Sequence, residues 1–384
     1  MQLRTSGSTI RQARSIFSHI DWMLFISALL LTVAGALTMN SFSGENYFFE
    51  NQLIWGSLAI FFFFLLSFFD FRFLRRTSAV VVLFAGSVIL LFLVFFFGDI
   101  VKGAQNRFDF GAFAFQPVDP IKLAVIILLA KYFSRRHIEI ANIRHIFVSG
   151  FYAFIIFLLV LLQPDFGSAI IIFLLWFGMV LVSGISKKHL IAVILGGTIV
   201  LFGMWTYVFE DYQKDRIVTF LNPLADIQGT GYNAYQSTIA VGSGQWFGKG
   251  VGYGTQSKLE FLPEYETDFI FAAFAEEWGF VGVLLLFILF ALVMWRILEN
   301  AIRGATNFEV LFGMGLAILF MSHIVINIGM NIGLLPVTGT TIPFMSYGGS
   351  HLITEFIGLG ILMGMRRYAR ATHKDDAKKE FLGI

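Results

Sequence analysis

Apolar runs long enough to cross a bilayer recur along this chain, and no other feature limits its folding as tightly. A hydrocarbon core of about 30 Å is spanned by roughly 20 helical residues, and inside it every backbone N–H and C=O must find a partner within the protein. Such runs fall near 22–40, 52–70, 78–98, 117–133, 147–163, 168–185, 190–208, 270–295, 308–330 and 347–365. The pattern predicts an all-α integral membrane protein of about ten transmembrane helices, a single polytopic domain over residues 1–384. The fourth run is the weakest, because Asp119, Pro120 and Lys122 interrupt it. Composition excludes an ordinary soluble domain: 57% of residues are hydrophobic and only 14% charged, against about 25% charged in soluble proteins. With a net charge of +2, nucleic acid is not an expected partner, and with no Cys neither a disulfide nor a thiolate metal site can form. The first 20 residues carry Arg4, Arg11 and Arg14 but no apolar stretch of a cleavable signal, so the run at 22–40 reads as the first membrane helix.

Lys and Arg set the orientation, since short loops rich in them stay in the cytoplasm. With the N-terminus inside, segments 1–21, 71–77, 131–146, 186–189, 296–307 and 366–384 are cytoplasmic and hold 20 of the 27 Lys and Arg residues. An even number of spans returns the tail, with Arg366, Arg367 and Arg370, to the same side. Residues 209–267, between helices seven and eight, are far longer than a connector requires. Their Gly, Tyr, Phe and Trp content argues for an ordered extracytoplasmic lid with short amphipathic elements rather than a disordered segment. No internal repeat is evident, which weighs against a transporter built from inverted halves. Function is expected on the outer face.

Four clusters there carry candidate chemistry. In the stretch from Arg107 to Lys122, the segment Gln116-Pro117-Val118-Asp119-Pro120-Ile121-Lys122 opens a membrane helix. Asp119 and Lys122 share a helix face and can simply neutralise one another. An ionisable pair at the membrane edge is nonetheless a functional signal, and Lys122 with Arg107 suits a phosphate group. In Gln163-Pro164-Asp165-Phe166-Gly167-Ser168, Asp165 either caps the next helix or faces a ligand. From Gly329 to Ser350, Gly and Pro in apolar surroundings predict a re-entrant or broken helix. Its Asn331, Thr338, Ser346 and Ser350 suit hydrogen bonds to a sugar or diphosphate, although small-residue packing explains the glycines equally well. Last, Glu260, Glu264, Glu266, Asp268, Glu276 and Glu277 crowd the approach to a helix. Asp268 stands apart because Phe269, Ile270 and Phe271 follow it, so partial desolvation should raise its pKa toward a range useful for a general base. His323 and His351, inside apolar runs, read as hydrogen-bonded packing residues rather than a proton relay.

At these clusters the chain resembles the SEDS family (shape, elongation, division and sporulation) of RodA and FtsW type. The matches are QPDFGSA at 163–169, DRIVTFLNP at 215–223, GYNAYQSTIAVGSG at 231–244, GKGVGYGTQSKLEFLPEYETDFIFA at 248–272 and NIGLLPVTGTTIPFMSYGGS at 331–350. Each is weak alone, whereas their order and spacing are specific. GTQS followed by LEFLPE is closer to the RodA branch than to FtsW. At the helix start, Val118 and Asp119 stand where the family has Ser and Glu, so charge is retained with a shorter reach.

The resemblance implies a peptidoglycan glycosyltransferase of the bacterial cytoplasmic membrane, polymerising lipid II at its outer face during cell elongation. The family's essential aspartate carries over onto Asp268. The 4-hydroxyl of one lipid-linked sugar would attack the anomeric carbon of another chain and displace undecaprenyl diphosphate with inversion. Arg107, Lys122, Arg216 and Lys249 are candidates to hold diphosphates, and Asp119, Asp165, Ser346 and Ser350 to line the substrate site. A divalent cation, Mg or Mn, is compatible with such a site, although no ligand spacing demonstrates one. Besides membrane lipid, the expected partners are a class B penicillin-binding protein as transpeptidase and other proteins of the cell-elongation complex. The competing readings are a lipid II flippase, a non-catalytic scaffold of the cell-wall complex and an FtsW-like division polymerase. A flippase would need charges spread through several helices, and a scaffold needs no interfacial aspartate.

Overall fold

A computed structural model describes residues 19–41, 47–101, 104–111, 113–134, 143–207, 214, 218–221, 231–259 and 261–382, and the statements below concern these. Its helices are α1 (Trp22–Asn40), α2 (Tyr47–Ser67), α3 (Thr77–Phe97), α4 (Val118–Ser134), α5 (Ile143–Leu161), α6 (Phe166–Val182), α7 (Lys187–Tyr207), α8 (Tyr232–Ser243), α9 (Thr255–Lys258), α10 (Ile270–Ile302), α11 (Asn307–Asn331) and α12 (Gly349–Leu382). A helix stands at each apolar run of the sequence. Six of them, α1, α2, α3, α5, α10 and α11, are long and apolar enough to cross a membrane, and α6 is apolar but shorter. The chain is a multi-pass membrane protein.

Differences from the sequence reading have local causes. Helix α2 begins at Tyr47, ahead of the apolar run, because the polar Gln52 is buried and donates from Nε2 to the Ser346 carbonyl at 3.3 Å. Pro120 does not break α4: it lies in the first turn, where backbone N–H groups have no intrahelical acceptor to lose. The all-α expectation needs one correction. Between α3 and α4 three short strands, β1 (Asp99–Val101), β2 (Ala104–Asp109) and β3 (Ala114–Phe115), form an antiparallel sheet in the order β1-β2-β3. Strands this short show no readable alternation, and the sheet places Arg107 on β2. The expected broken helix at 329–350 is an irregular buried segment between α11 and α12, with Thr338, Thr340, Ile342, Phe344, Met345 and Ser346 all buried.

Packing relies on aromatic contact and on glycine. Phe25 stacks on Phe63 at 5.0 Å between ring centroids, and edge contacts run on through Phe356 and Phe344 to Phe320. Gly349 lets α12 lie against Trp55 of α2, since a Cβ there would fall 2.5 Å from its ring. Large side chains such as Phe96, Phe97, Phe151, Ile199 and Phe202 are exposed, as lipid-facing positions would be.

Arginines gather at one end of the bundle. There the buried Asp21 carboxylate accepts from Arg296 Nε at 2.9 Å, Asn300 Nδ2 at 2.8 Å and Arg366 at 3.2 Å, joining α1, α10 and α12. Burial alone would raise its pKa, but the hydrogen bonds from Arg296 and Asn300 outweigh that and hold it below its ordinary value. Arg75 pairs with Glu309 at the start of α11 on the same end. Helix α10 runs from the opposite end, where the candidate site lies.

Candidate active site

Asp268 occupies a tight turn that leads into α10. The Glu264 carbonyl accepts from the backbone N–H groups of Thr267, Asp268 and Phe269 at 3.1–3.2 Å, with Glu264 itself in the left-handed region at φ 51°. Phe269 and Ile270 are buried while Asp268 is half-buried, so its carboxylate sits where the polar turn meets the apolar bundle. Main-chain contacts fix this turn from two sides. The Asp268 carbonyl accepts from Asn327 Nδ2 at 2.9 Å and Asn331 Nδ2 at 3.0 Å. Ser346 Oγ donates to the Thr267 carbonyl at 2.7 Å, and the Tyr347 N–H to the Glu266 carbonyl at 2.9 Å. The carboxylate faces Gly339, where a Cβ would lie 3.5 Å from Asp268 Oδ2.

The hairpin between α5 and α6 approaches the same region. A Cβ at Gly167 would fall 2.7 Å from the Thr338 carbonyl, so only glycine permits this contact with the 338–340 loop. Asp165 caps α6 by accepting from the Ser168 N–H at 3.0 Å. Its second oxygen accepts from Gln116 Nε2 at 3.0 Å and Asn106 Nδ2 at 3.2 Å. Arg107, half-buried, donates from Nε to Asn106 at 3.4 Å. Ser350 Oγ both accepts from the Gln116 N–H at 3.3 Å and donates to its carbonyl at 3.1 Å. Hydrogen bonds thus join Arg107, Asp165 and Ser350 through Asn106 and Gln116, with Ser346 under the Asp268 turn.

Asp119 and Lys122 are buried inside the bundle. Lys122 Nζ is 3.2 Å from Asp119 Oδ1 and 3.5 Å from His323 Nε2, and both charged side chains are buried. His323 Nδ1 meets the Thr341 carbonyl at 3.0 Å; a proton there leaves Nε2 as an acceptor for Lys122. His351 stands between two carboxylates, with Nδ1 3.6 Å from Asp119 and Nε2 2.9 Å from Glu355, the latter close but poorly aligned for a hydrogen bond. Glu355 accepts from the Phe344 N–H at 2.7 Å. These five side chains, with Thr354, line a small cavity. His323 is hydrogen-bonded, whereas His351 lies between two carboxylates without an aligned hydrogen bond; both pack within an ionic cluster that their apolar runs did not announce. Glu355 escaped sequence reading. Its one signal was the four-residue spacing from His351 in an otherwise apolar run.

Lys249 has a partner of its own. Its Nζ lies 2.7 Å from Glu276 Oε1, and the same fully buried carboxylate accepts from the Thr255 N–H at 2.8 Å, Thr255 Oγ1 at 3.0 Å and the Gln256 N–H at 3.1 Å. The glycine-rich segment thereby folds over the point where Gly279, at φ 65°, breaks α10. A Cβ on Gly248 would meet the Glu277 carbonyl at 2.0 Å. Removing the acceptor leaves several part-buried donors without their partner, each at a cost of up to about 1–3 kcal/mol. Glu276→Ala is therefore expected to loosen residues 249–259, read as faster limited proteolysis there, with Glu276→Gln intermediate. Unchanged proteolysis in the Ala variant would contradict this bracing role. Arg216 lies outside the described residues. Among the described residues, no three His, Cys, Asp or Glu side chains gather to hold a metal ion.

Fold and site define a polytopic membrane protein with a carboxylate-centred polar site at the end of the bundle away from the arginines gathered around Asp21 and Glu309. The chain belongs to the FtsW/RodA/SpoVE family of cell cycle proteins, whose profile matches residues 13–371, and its likeness is to the RodA branch. It is 39% identical over 279 residues to the Escherichia coli K12 peptidoglycan glycosyltransferase MrdB, covering 72% of this chain and 75% of that protein. Stage V sporulation protein E of Bacillus subtilis is 37% identical over 275 residues, covering 71% and 74%. Among solved structures, a chain of a peptidoglycan synthase complex that coordinates polymerization and crosslinking superposes with a TM-score of 0.79 at 29% identity, over 91% of this chain and 98% of that one. The Thermus thermophilus rod shape determining protein RodA gives 0.68 at 29% identity, over 90% and 96%.

Proposed function

We propose that this protein is a peptidoglycan glycosyltransferase that polymerises lipid II at the outer face of the bacterial cytoplasmic membrane, in the elongation of the cell wall. The observation that carries the reading is the half-buried Asp268, held by main-chain hydrogen bonds at the mouth of α10 with its carboxylate on the 338–340 loop. Asp268 takes the proton from the attacking 4-hydroxyl as the bond to the anomeric carbon forms and the bond to the diphosphate breaks. Negative charge then grows on the leaving diphosphate, where nearby cations contribute most. Arg107 and Lys122 are the candidates to serve there, Arg107 from the polar network around Asp165 and Lys122 from the buried cluster. A divalent cation, if one takes part, would draw most of its ligands from the diphosphates. The partner is a class B penicillin-binding protein, in keeping with the similarity to a synthase complex that couples polymerization to crosslinking. Purified protein given labelled lipid II and that transpeptidase should form glycan polymer. Translocation without polymer would favour a flippase, and neither outcome a scaffold.

In this reading ten helices span the membrane, both termini are cytoplasmic and residues 209–267 lie outside. Arginines collected around Asp21 and Glu309 at one end, with Asp268 at the other, support that orientation. In a chain with no native Cys, Ser243→Cys should react with an impermeant maleimide from the outside of intact cells. Labelling only after the cytoplasmic side is exposed would reverse the orientation.

A further inference from the structure

We infer that Asn327 and Asn331 are positioning residues for Asp268, setting the aim of its carboxylate through the backbone; this rests on Asp268 being the general base. The two amides stand one helical turn apart on α11, both 0% exposed, and both donate to the Asp268 carbonyl. In an unbroken helix that carbonyl would accept from the Ala272 N–H. Here the Ala272 N–H donates instead to Asn331 Oδ1 at 3.2 Å and to the Phe269 carbonyl at 3.0 Å. The Asn331 amide is therefore inserted into the first hydrogen bond of α10, receiving from Ala272 on one side and giving to Asp268 on the other. It keeps Asp268 just outside the helix. Asn327 Nδ2 also donates to the Thr340 carbonyl at 2.6 Å. One buried amide thus joins the turn that carries the carboxylate to the loop that the carboxylate faces at Gly339. The orientation of both amides is fixed by their partners, since a flip would set each side-chain oxygen against main-chain carbonyls. Ser237 Oγ of α8 donates to Asn331 Oδ1 at 3.2 Å and to its carbonyl at 2.9 Å, which extends the clamp to the long loop.

Helix packing alone does not call for this arrangement, because an apolar residue would fill either position without burying an amide in a membrane bundle. What the amides supply is a fixed distance between Asp268 and the 338–340 loop, and a displacement of about 1 Å in a catalytic group can cost 10²-fold in rate. The test is the steady-state polymerisation of lipid II by full-length Asn327→Ala and Asn331→Ala, each also combined with Asp268→Asn. Asn327→Ser, which retains one donor, accompanies them as the conservative variant. The expected result is a kcat lowered about 10- to 100-fold in the Ala variants, a KM for lipid II within twofold of the parent, partial recovery in Asn327→Ser and no further loss when Asp268→Asn is already present. Losses that multiply with that of Asp268→Asn, or that fall on KM, would overturn the inference. So would an Ala variant with parental kcat in a protein that Asp268→Asn inactivates. Asp268→Asn with parental activity would instead defeat the general-base assignment itself. Should an Ala variant fail to fold, Asn327→Ser in the two backgrounds decides alone: a kcat-only loss absent beside Asp268→Asn supports the clamp, and parental kcat or a multiplying loss overturns it.

Discussion

Replacing Asp268 by Asn is expected to lower lipid II polymerisation by about 10²- to 10⁴-fold, the usual contribution of a positioned general base. Asn keeps the size of the side chain and one acceptor but cannot take up a proton at ordinary pH. The turn should survive the exchange. Its ties to Asn327, Asn331, Ser346 and Tyr347 run to the carbonyls of residues 266–268, which the substitution leaves in place. Membrane insertion, thermal stability and binding of the transpeptidase should stay near parental values. Glu264→Gln and Glu266→Gln serve as controls: Glu264 holds the turn through its main-chain carbonyl, so neither variant should cost as much as tenfold. An Asp268→Asn protein that polymerises like the parent would remove Asp268 from the reaction and bring the flippase and scaffold readings forward.

The membrane architecture was legible because it depends on run length and on where charge interrupts it, both properties of contiguous sequence. Asp268 was legible for the same reason, as a carboxylate directly before Phe269, Ile270 and Phe271. What escaped depends on contacts between distant segments. Asn327 reads as one polar residue in an apolar helix, and only the fold brings it to the carbonyl of Asp268, 59 positions away. Asp119 and Lys122 were recognised as a pair, but nothing local indicated that His323, His351 and Glu355 would close around them. Lys249 looked like a loop cation open to a ligand until Glu276, buried nearly two turns into α10, proved to be its partner. The sheet that carries Arg107 was missed because its strands are two to six residues long, too short for a period to declare itself.

The buried cluster should make Lys122 the position least tolerant of truncation. It carries two carboxylates, Asp119 and Glu355, against one ammonium, with His351 between the acids. Lys122→Ala removes that ammonium and leaves Asp119 buried with His351 alone, and breaking one side of a buried pair typically costs about 3–5 kcal/mol. The expected reading is a marked fall in the thermal stability of the detergent-solubilised protein and in the amount reaching the membrane. Lys122→Arg retains the charge, but a rigid planar guanidinium does not replace a compact ammonium in a small cavity, so recovery should be partial. The informative variant is Asp119→Asn with Lys122→Met, which removes both charges at nearly constant volume. Replacing a buried ion pair by neutral groups is often close to neutral for stability, so the double variant should regain most of what Lys122→Ala loses. Polymerisation should not return with it, because a charge-assisted contact to a diphosphate, worth roughly 1–3 kcal/mol, remains absent. A double variant that regains stability and full polymerisation together would leave Asp119 and Lys122 a structural pair and move the diphosphate contact to Arg107.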